Sequence, residues 1–235
     1  MPFSQKTLDF LFENRIQDSR SWFEEHKNIY LRTVYAPLQE LVAALEPTML
    51  SLDAALTTEA RVDKTICRIR RDTRFSKDKS LYRDNMWIVF KRGKMHGTEL
   101  PGFYFELGGD GFNYGCGFYN ASTAYMETLR SLVLGHDPAF HKAERAFAAQ
   151  EVFHLEGACY RRPHFPDQPP ALRQWLERRG VCFVADSEDL ELLFSNRLAD
   201  KLAADFRLLG PMYDFLLKIS ETMQRQEAGR ASVQR

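Results

Sequence analysis

The chain contains 235 residues, of which 44% are hydrophobic and 27% are charged, the proportions of an ordinary globular protein rather than of a disordered one. Lys and Arg total 32, as do Asp and Glu, so the net charge gives no reason to expect a nucleic-acid or membrane partner for the molecule as a whole. No apolar run is long enough to cross a bilayer, and the first residues lack the pattern of a secretion signal. We therefore expect a cytoplasmic protein.

The N-terminal part of the chain, as far as Pro47, is predicted to be mainly helical. Ser4 is the expected N-cap of a first helix, and a second helix should begin near Asp18 to Ser21. Pro37 should kink or restart the helical stripe, and the stripe should stop by Pro47. This region is expected to pack as a layer against a flatter element.

The middle of the chain is rich in β-branched and aromatic residues, which predicts four strands. They cover residues 65–70, 86–91, 103–107 and 112–119. The sequence Gly-Gly-Asp-Gly at residues 108–111 is typical of a tight hairpin, so the last two strands should be antiparallel neighbours. Gly115 and Gly117 share one face of the final strand, where the missing side chains would expose the backbone to a ligand, a bulge or an aromatic ring.

Helical patterns return after residue 120, with further short strands predicted within residues 151–160 and 181–184. Two closing helices are divided at Gly210-Pro211, and the polar tail, residues 224–235, is expected to fray. The complete pattern predicts a single α+β domain over residues 1–223. Its central antiparallel sheet should be flanked by N-terminal and C-terminal helices.

The residues that most often bind metals or form disulfides show no informative spacing. The four cysteines are scattered and include no Cys-x-x-Cys pair, so they are expected to be reduced thiols. The six histidines lack the spacing of metal ligands. The sequence therefore predicts no metal site, and it identifies no cofactor.

One segment carries a strong local charge. Residues 61–94 contain twelve Lys or Arg and only four Asp, although the chain as a whole is neutral. The centre of this segment, residues 68–85, is RIRRDTRFSKDKSLYRDN. It resembles the Arg-Asp-x-Arg-Phe-Ser-x-Asp-Lys-x-Pro-Tyr-Lys signature of the bacterial and fungal family called domain of unknown function 2461.

The resemblance to this family extends over almost the whole chain. Further matches lie at Trp22-Phe23, at Pro101-Gly102-Phe103-Tyr104 and at Gly115-x-Gly117-x-Tyr119. The resemblance implies the fold and the choice of site, but it implies no reaction, substrate or cofactor. Leu81 stands where the family usually has Pro, and Arg83-Asp84 replaces a Lys-Thr pair, so the loop is expected to be less rigid than in relatives.

The basic segment is the predicted site. Alternate residues of an extended chain face the same side, which would place guanidinium groups in a row. Guanidinium donors match phosphate and carboxylate groups, so we expect a small anionic ligand in a pocket. The predicted ligand-binding residues are Arg68, Arg71, Arg74, Lys77, Lys79, Tyr82 and Asn85. If the protein is an enzyme, the candidate acid or base groups are Asp72, Asp78 and Glu106.

Other interpretations remain open at this point. The charges could instead form a solvated face and an internal ion-pair network. The patch could also dock an acidic protein or a nucleic acid without catalysis, although a neutral chain lacks the broad positive field that nucleic-acid binding exploits. Serine catalysis at Ser76-x-x-Lys79 and dinucleotide binding at Gly115-x-Gly117 are weaker matches, because their companion motifs are absent.

Overall fold

The computed structural model describes residues 3–95, 100–118 and 121–233, the last seven of these by their backbone alone. Tyr119, which belongs to one of the matches above, lies outside the described residues. Helices and one antiparallel sheet make up the protein, so the predicted α+β class is confirmed. Among the described residues, no helix combines the length and the apolar composition that crossing a bilayer requires.

The N-terminal helices begin and end close to the predicted positions. Helix α1 spans Gln5–Gln17, α2 spans Arg20–Tyr30, a π-helical turn spans Leu31–Tyr35, and α3 spans Ala36–Leu52. Ser19 caps α2, since its hydroxyl accepts a hydrogen bond from the backbone N–H of Trp22 at 3.4 Å. Asp18 ends α1 in the left-handed conformation, with φ of 41°, a conformation that Asp tolerates better than most residues.

The prediction that the helical stripe stops by Pro47 is wrong, because α3 continues through this residue to Leu52. A proline inside a helix removes one backbone hydrogen bond. Thr48 and Met49, which follow it, are both buried. We infer that their burial offsets the lost hydrogen bond. Pro37 lies in the first turn of α3, directly after the π-helical turn Leu31–Tyr35, so it stands where one helical segment gives way to the next.

The sheet contains five strands in the spatial order β1-β2-β3-β5-β4. Their bounds are Met86–Lys91 for β1, Gly102–Gly108 for β2, Gly111–Gly117 for β3, His154–Glu156 for β4 and Cys182–Ser187 for β5. The alternating pattern of β2 is confirmed, since Phe103, Phe105 and Leu107 are fully buried while Tyr104 and Glu106 are partly exposed. The strand predicted within residues 151–160 is limited to the three residues of β4.

The remaining helices follow the predicted order. Their bounds are Thr123–Leu134 for α4, Pro138–Ala148 for α5, Pro170–Leu176 for α6, Leu190–Leu193 for α7, Leu198–Leu208 for α8 and Gly210–Val233 for α9. Asp137 caps α5 through its carboxylate, which accepts a hydrogen bond from the backbone N–H of Ala139 at 2.8 Å. The backbone of α9 is helical as far as Val233, and so includes most of the polar tail.

The chain divides into two compact units. The first comprises Met1–His96, Tyr104–Tyr114 and Asp186–Asp205, and the second comprises Gly97–Phe103, Gly115–Ala185 and Phe206–Arg235. In the first unit, Phe10, Phe23 and Tyr30 form a buried aromatic cluster. In the second unit, Trp175 packs among four phenylalanines, which are Phe140, Phe147, Phe183 and Phe215. The basic segment lies entirely within the first unit.

Candidate functional site

The basic segment folds as a two-stranded hairpin. Residues 65–71 run antiparallel to residues 81–89 and are joined to them by four backbone hydrogen bonds of 2.8–3.0 Å. We call residues 65–89 the basic hairpin, and residues 72–80 its tip loop. Ile66 pairs with Ile88, and Arg70 pairs with Tyr82. We call residues 65–71 the first arm and residues 81–89 the returning arm. Between the two pairs, the returning arm holds two more residues than the first arm. Such a bulge changes the direction in which neighbouring side chains point.

The expected alternation of side chains is present in the first arm. Cys67 and Ile69 are buried, whereas Arg68 and Arg70 are exposed. Burial raises the pKa of the Cys67 thiol to about 12, so this group is protonated and chemically inert near neutral pH. The arm therefore separates a packed side from a side that presents guanidinium groups to solvent.

Two of the predicted ligand-binding arginines already bind carboxylates of the protein. Arg68 donates hydrogen bonds to the Asp63 carboxylate through both Nε and Nη2, and its Nε atom lies 2.7 Å from each carboxylate oxygen. Arg74 donates to Asp72 through Nη2 at 2.7 Å and through Nε at 3.0 Å. These hydrogen bonds from Arg74 lower the pKa of Asp72 to about 2. All four side chains remain at least one-third exposed, so each pair contributes little to stability.

Asp78 joins the tip loop to the end of α1. Its carboxylate accepts hydrogen bonds from the hydroxyl and the backbone N–H of Ser80, from Arg71, and from Arg15 of α1 at 2.8 Å. The bonds from Ser80, followed by the bond from Arg71, lower the pKa of Asp78 below its usual range. The Arg71 guanidinium also donates to the Ser76 and Ser80 hydroxyl oxygens, at 3.4 and 3.0 Å. Arg71 thus orders the loop from within.

Tyr82 is held by contacts with both of its neighbouring helices. Its ring is 1% exposed and stacks on Phe23 of α2 with ring centroids 5.0 Å apart. The Asp18 carboxylate accepts hydrogen bonds from the backbone N–H groups of Leu81 at 2.6 Å and Tyr82 at 3.2 Å. Arg15 donates to the Tyr82 carbonyl oxygen at 3.3 Å. The start of α2 and the end of α1 therefore fix the backbone and the ring of Tyr82.

The Tyr82 hydroxyl lies among charged groups of the hairpin and of α2. Burial raises the pKa of this phenol, while the positive charges of Arg70 and Arg20 lower it and the negative charges of Glu24 and Asp18 raise it. Arg70 and Tyr82 are directly opposed across the hairpin, an arrangement that places both side chains on the same side of the two strands. Within the described residues, neither the two guanidinium groups nor the phenol oxygen has a hydrogen-bond or ion-pair partner.

The predicted residues Asn85 and Glu106 contact each other on the partly exposed side of the sheet. The Asn85 side-chain amide donates a hydrogen bond to the Glu106 carboxylate. Nearby, the guanidinium carbon of Arg83 lies 4.2 Å from the centroid of the Trp87 ring, and Arg83 Nε donates to the Arg68 carbonyl oxygen at 3.1 Å. Asn85 therefore orients Glu106, at a place separate from the tip loop.

The tip loop presents the last two predicted cations and one aromatic ring. Lys79 Nζ donates to the carbonyl oxygen of Thr73 at 2.8 Å. Lys77 is exposed and makes no ion pair or side-chain hydrogen bond in the part of the chain that the structure describes. Phe75 is 95% exposed. These three residues leave the end of the loop positively charged and partly apolar.

The ten predicted site residues consequently fall into separate groups. Arg71, Ser80 and Asp78 form one network, Arg68 and Arg74 each form their own ion pair, and Asn85 contacts Glu106. Sequence reasoning missed the contributions of Arg15, Asp18 and Arg20, which come from the two N-terminal helices. The only local signal was the position of Asp18 between two helical stripes, which indicates a helix end and not a contact with residues 81 and 82.

The comparison with known proteins agrees with the resemblance noted in the sequence. A search of curated proteins finds no match. The family model described as "Conserved hypothetical protein (DUF2461)" matches residues 6–215. Because this match covers most of the 235 residues, the chain belongs to the domain of unknown function 2461 family.

Proposed function

We propose that the basic hairpin binds a phosphate- or carboxylate-bearing anion, and that the Tyr82 hydroxyl and the guanidinium groups of Arg70 and Arg20 form the binding site. The observation that supports this proposal is that Arg70 is paired directly with Tyr82 across the hairpin, that Arg70 and Arg20 both act electrostatically on the Tyr82 hydroxyl, and that none of these three side chains has a hydrogen-bond or ion-pair partner in the described part of the protein. Guanidinium and phenol groups donate hydrogen bonds, and an anion of this kind accepts them. The three groups are therefore complementary to such a ligand.

The paired arginines are poorer candidates for direct contact with a ligand. Arg68 forms an ion pair with Asp63, which precedes the hairpin, and Arg74 forms one with Asp72 of the tip loop. An incoming anion would have to displace this carboxylate or tolerate its repulsion. Arg70 forms no such ion pair in the described part of the protein, although the charges of Glu24 and Asp18 also act on the Tyr82 hydroxyl. This difference narrows the predicted site from the whole row of guanidinium groups to the cations beside Tyr82.

The net charge of the hairpin also favours an anion. Residues 65–89 contain seven Lys or Arg and three Asp. The cations of the hairpin therefore outnumber its carboxylates by four. Nearby cations repel one another, and a bound anion relieves this repulsion.

The ionisation of the candidate acid and base groups supports binding more than catalysis. The pKa values of Asp72 and Asp78 both lie well below the ordinary range of a carboxyl group. An efficient general acid or base has a pKa near the working pH. Both aspartates are therefore ionised at neutral pH and are weak bases. We assign them the structural role of orienting arginines.

Thermal unfolding in the presence of a panel of small anions tests the proposal. A ligand present at about one hundred times its dissociation constant stabilises the folded protein by about 2.7 kcal/mol, which raises the melting temperature by roughly 5–11 °C for a chain of this size. We expect pyrophosphate, nucleoside phosphates or dicarboxylates to produce such a shift. A panel that shifts the melting temperature in no case contradicts the proposal.

Three variants locate the site once a ligand is found. Arg70→Ala should weaken the affinity at least tenfold, since hydrogen bonds between charged groups contribute roughly 1.5–3 kcal/mol. Tyr82→Phe keeps the ring on Phe23 and removes only the hydroxyl, so a smaller loss of roughly 2–10-fold is expected. Lys6→Ala is the control, because Lys6 is an exposed cation outside the hairpin. Equal effects of Arg70→Ala and Lys6→Ala would contradict the assigned site.

A further inference from the structure

Phe75 is the most exposed of the large apolar side chains that the structure describes. It is 95% exposed, compared with 64% for Phe12, the next on this scale. Single exposed apolar residues are common and need no functional explanation by themselves. The position of Phe75 at the end of a positively charged loop is what distinguishes it.

The conformation of the tip loop does not depend on the Phe75 side chain. The Asp72 carboxylate accepts a hydrogen bond from the backbone N–H of Arg74 at 3.2 Å, and the Asp78 carboxylate accepts one from the backbone N–H of Ser80 at 3.0 Å. Lys79 reaches across the loop to the carbonyl oxygen of Thr73. The ring is therefore presented to solvent by a loop that polar contacts already fold.

One cation lies over this aromatic ring, and two more follow it in the same loop. The guanidinium carbon of Arg74 lies 5.8 Å from the centroid of the Phe75 ring. Lys77 is two residues away and has no partner in the described part of the chain, and Lys79 bonds only to a carbonyl oxygen. A suitable partner must therefore offer negative charge and a flat apolar surface together, at the spacing of neighbouring loop residues.

Single-stranded nucleic acid offers both features. Its phosphates are complementary to lysine and arginine, and its unpaired bases stack on aromatic rings regardless of sequence. An acidic peptide would satisfy the cations and leave the ring in water. In a duplex the bases are already stacked on one another, so their faces are not accessible to Phe75 without unstacking.

We infer that the basic hairpin binds single-stranded nucleic acid, with a base stacked on Phe75 of the tip loop and with backbone phosphates against Lys77 and Lys79 of the tip loop and against Arg70. This inference rests on the proposed function, because the phosphate of the strand is then the anion that the basic hairpin binds. It adds the class of the partner and a role for an aromatic residue that the anion site does not use.

Fluorescence anisotropy with a labelled oligothymidylate of about 12 nucleotides, at about 50 mM salt, tests the inference. Stacking of one base contributes roughly 1–3 kcal/mol, so Phe75→Ala should weaken binding by roughly 5–150-fold without changing its salt dependence. Lys77→Ala should lower the slope of log affinity against log salt by about 0.7. Phe12→Ala and Lys6→Ala are the matched controls, and both should bind as the wild type does.

An abasic strand of the same length separates base stacking from phosphate binding. We expect the wild type to bind the abasic strand more weakly than the intact strand, and Phe75→Ala to bind the two alike. If the wild type binds both strands equally and Phe75→Ala changes neither affinity, the inference is overturned while anion binding by the hairpin stands.

Three further outcomes would also overturn the inference. Tighter binding of polyglutamate or of anionic lipid vesicles than of the oligonucleotide would identify a different class of partner. If the intact strand, inorganic polyphosphate and the small anions all fail to bind, the proposed function fails together with the inference. If the small anions bind but neither strand does, only the inference fails.

Discussion

The contact between Asp18 and the hairpin offers a direct test of how the site is positioned. The Asp18 carboxylate is the partner of two backbone N–H groups, at 2.6 Å to Leu81 and 3.2 Å to Tyr82. Asp18→Gly removes this acceptor but preserves the backbone, because glycine readily adopts the φ of 41° observed here. The variant therefore isolates the side-chain contact from the conformation of the helix end.

The expected cost follows from the number and type of the lost hydrogen bonds. A hydrogen bond to a charged group contributes roughly 1.5–3 kcal/mol. Asp18 is only half-buried, so its two bonds together are expected to contribute about 2–4 kcal/mol. A loss of this size lowers the melting temperature of a chain of this length by roughly 4–16 °C. Asp18→Asn keeps an oxygen acceptor and should lose about 1 kcal/mol.

Differential scanning calorimetry of the wild type and the two variants provides the measurement. We also expect Asp18→Gly to weaken anion binding, because the Tyr82 backbone loses the contact that positions it. A melting temperature for Asp18→Gly within about 1 °C of the wild type would refute the reasoning, since the cited energies are too large for such an outcome. Equal destabilisation by Gly and Asn would show that the charge, and not the acceptor, is what matters.

Four further predictions concern other parts of the protein. Gly117→Ala should lower the free energy of unfolding, measured in urea, by roughly 2–5 kcal/mol, because Gly117 has φ of 153° and a Cβ there would lie 2.6 Å from the Val181 carbonyl oxygen. Gly109→Ala is the control, because a Cβ at that position meets nothing within 4 Å. Equal stability of the two variants would contradict the close backbone contact at Gly117. Asn14→Leu should raise the melting temperature, because the buried Asn14 amide has no hydrogen-bond partner among the described residues and an unsatisfied buried polar group costs about 1–3 kcal/mol. A lower melting temperature would indicate that the amide binds a buried water molecule. Iodoacetamide at pH 8 should modify the exposed Cys159 far faster than Cys67, whose burial raises its pKa to about 12, and mass spectrometry showing similar rates would contradict this. An NMR titration should find the Asp72 pKa near 2, so the contribution of the ionised Asp72 to stability is present above pH 4 and is lost as the pH falls towards 2. In Arg74→Ala the pKa of Asp72 should return towards 3.8. An unchanged Asp72 pKa in this variant would contradict the pairing of Asp72 with Arg74.

The local sequence predicts the elements whose pattern is set by their own residues. Strand β2 alternates between buried and exposed side chains along almost its whole length, so its pattern identifies it without further information. The end of α3 could not be found in this way. Pro47 is a helix-breaking residue by its own chemistry, but the burial of Thr48 and Met49 depends on parts of the protein that are distant in sequence.

The glycines of the final strand show the same distinction. Their spacing correctly indicates that something approaches the backbone closely, but it does not identify what. At Gly117 the approaching group is the backbone around Val181 and Cys182, the latter in β5. This contact joins residues far apart in the chain, so the local sequence leaves a ligand, a bulge and an aromatic ring open as alternatives.

The sequence predicts where the positive charges concentrate but not how they pair. The charge pattern identifies the hairpin, because twelve Lys or Arg against four Asp is evident from the sequence alone. Which arginine is paired depends on where Asp63, Asp72 and Asp78 lie once the hairpin has folded. It also depends on Arg15, which reaches Asp78 across 63 positions of sequence. For this reason Arg70, which no prediction singled out, becomes the central cation of the proposal.

In the proposed site, guanidinium groups without a carboxylate partner, and not the paired ones, receive the anion. NMR of the arginine Nε–H groups during a titration with pyrophosphate tests this most directly, with Arg70→Ala and Arg20→Ala used to assign the resonances. We expect saturable shifts for Arg70 and Arg20, while the resonances of Arg68 and Arg74 stay in place. Shifts confined to Arg68 and Arg74, or a spectrum that does not change at all, would contradict it.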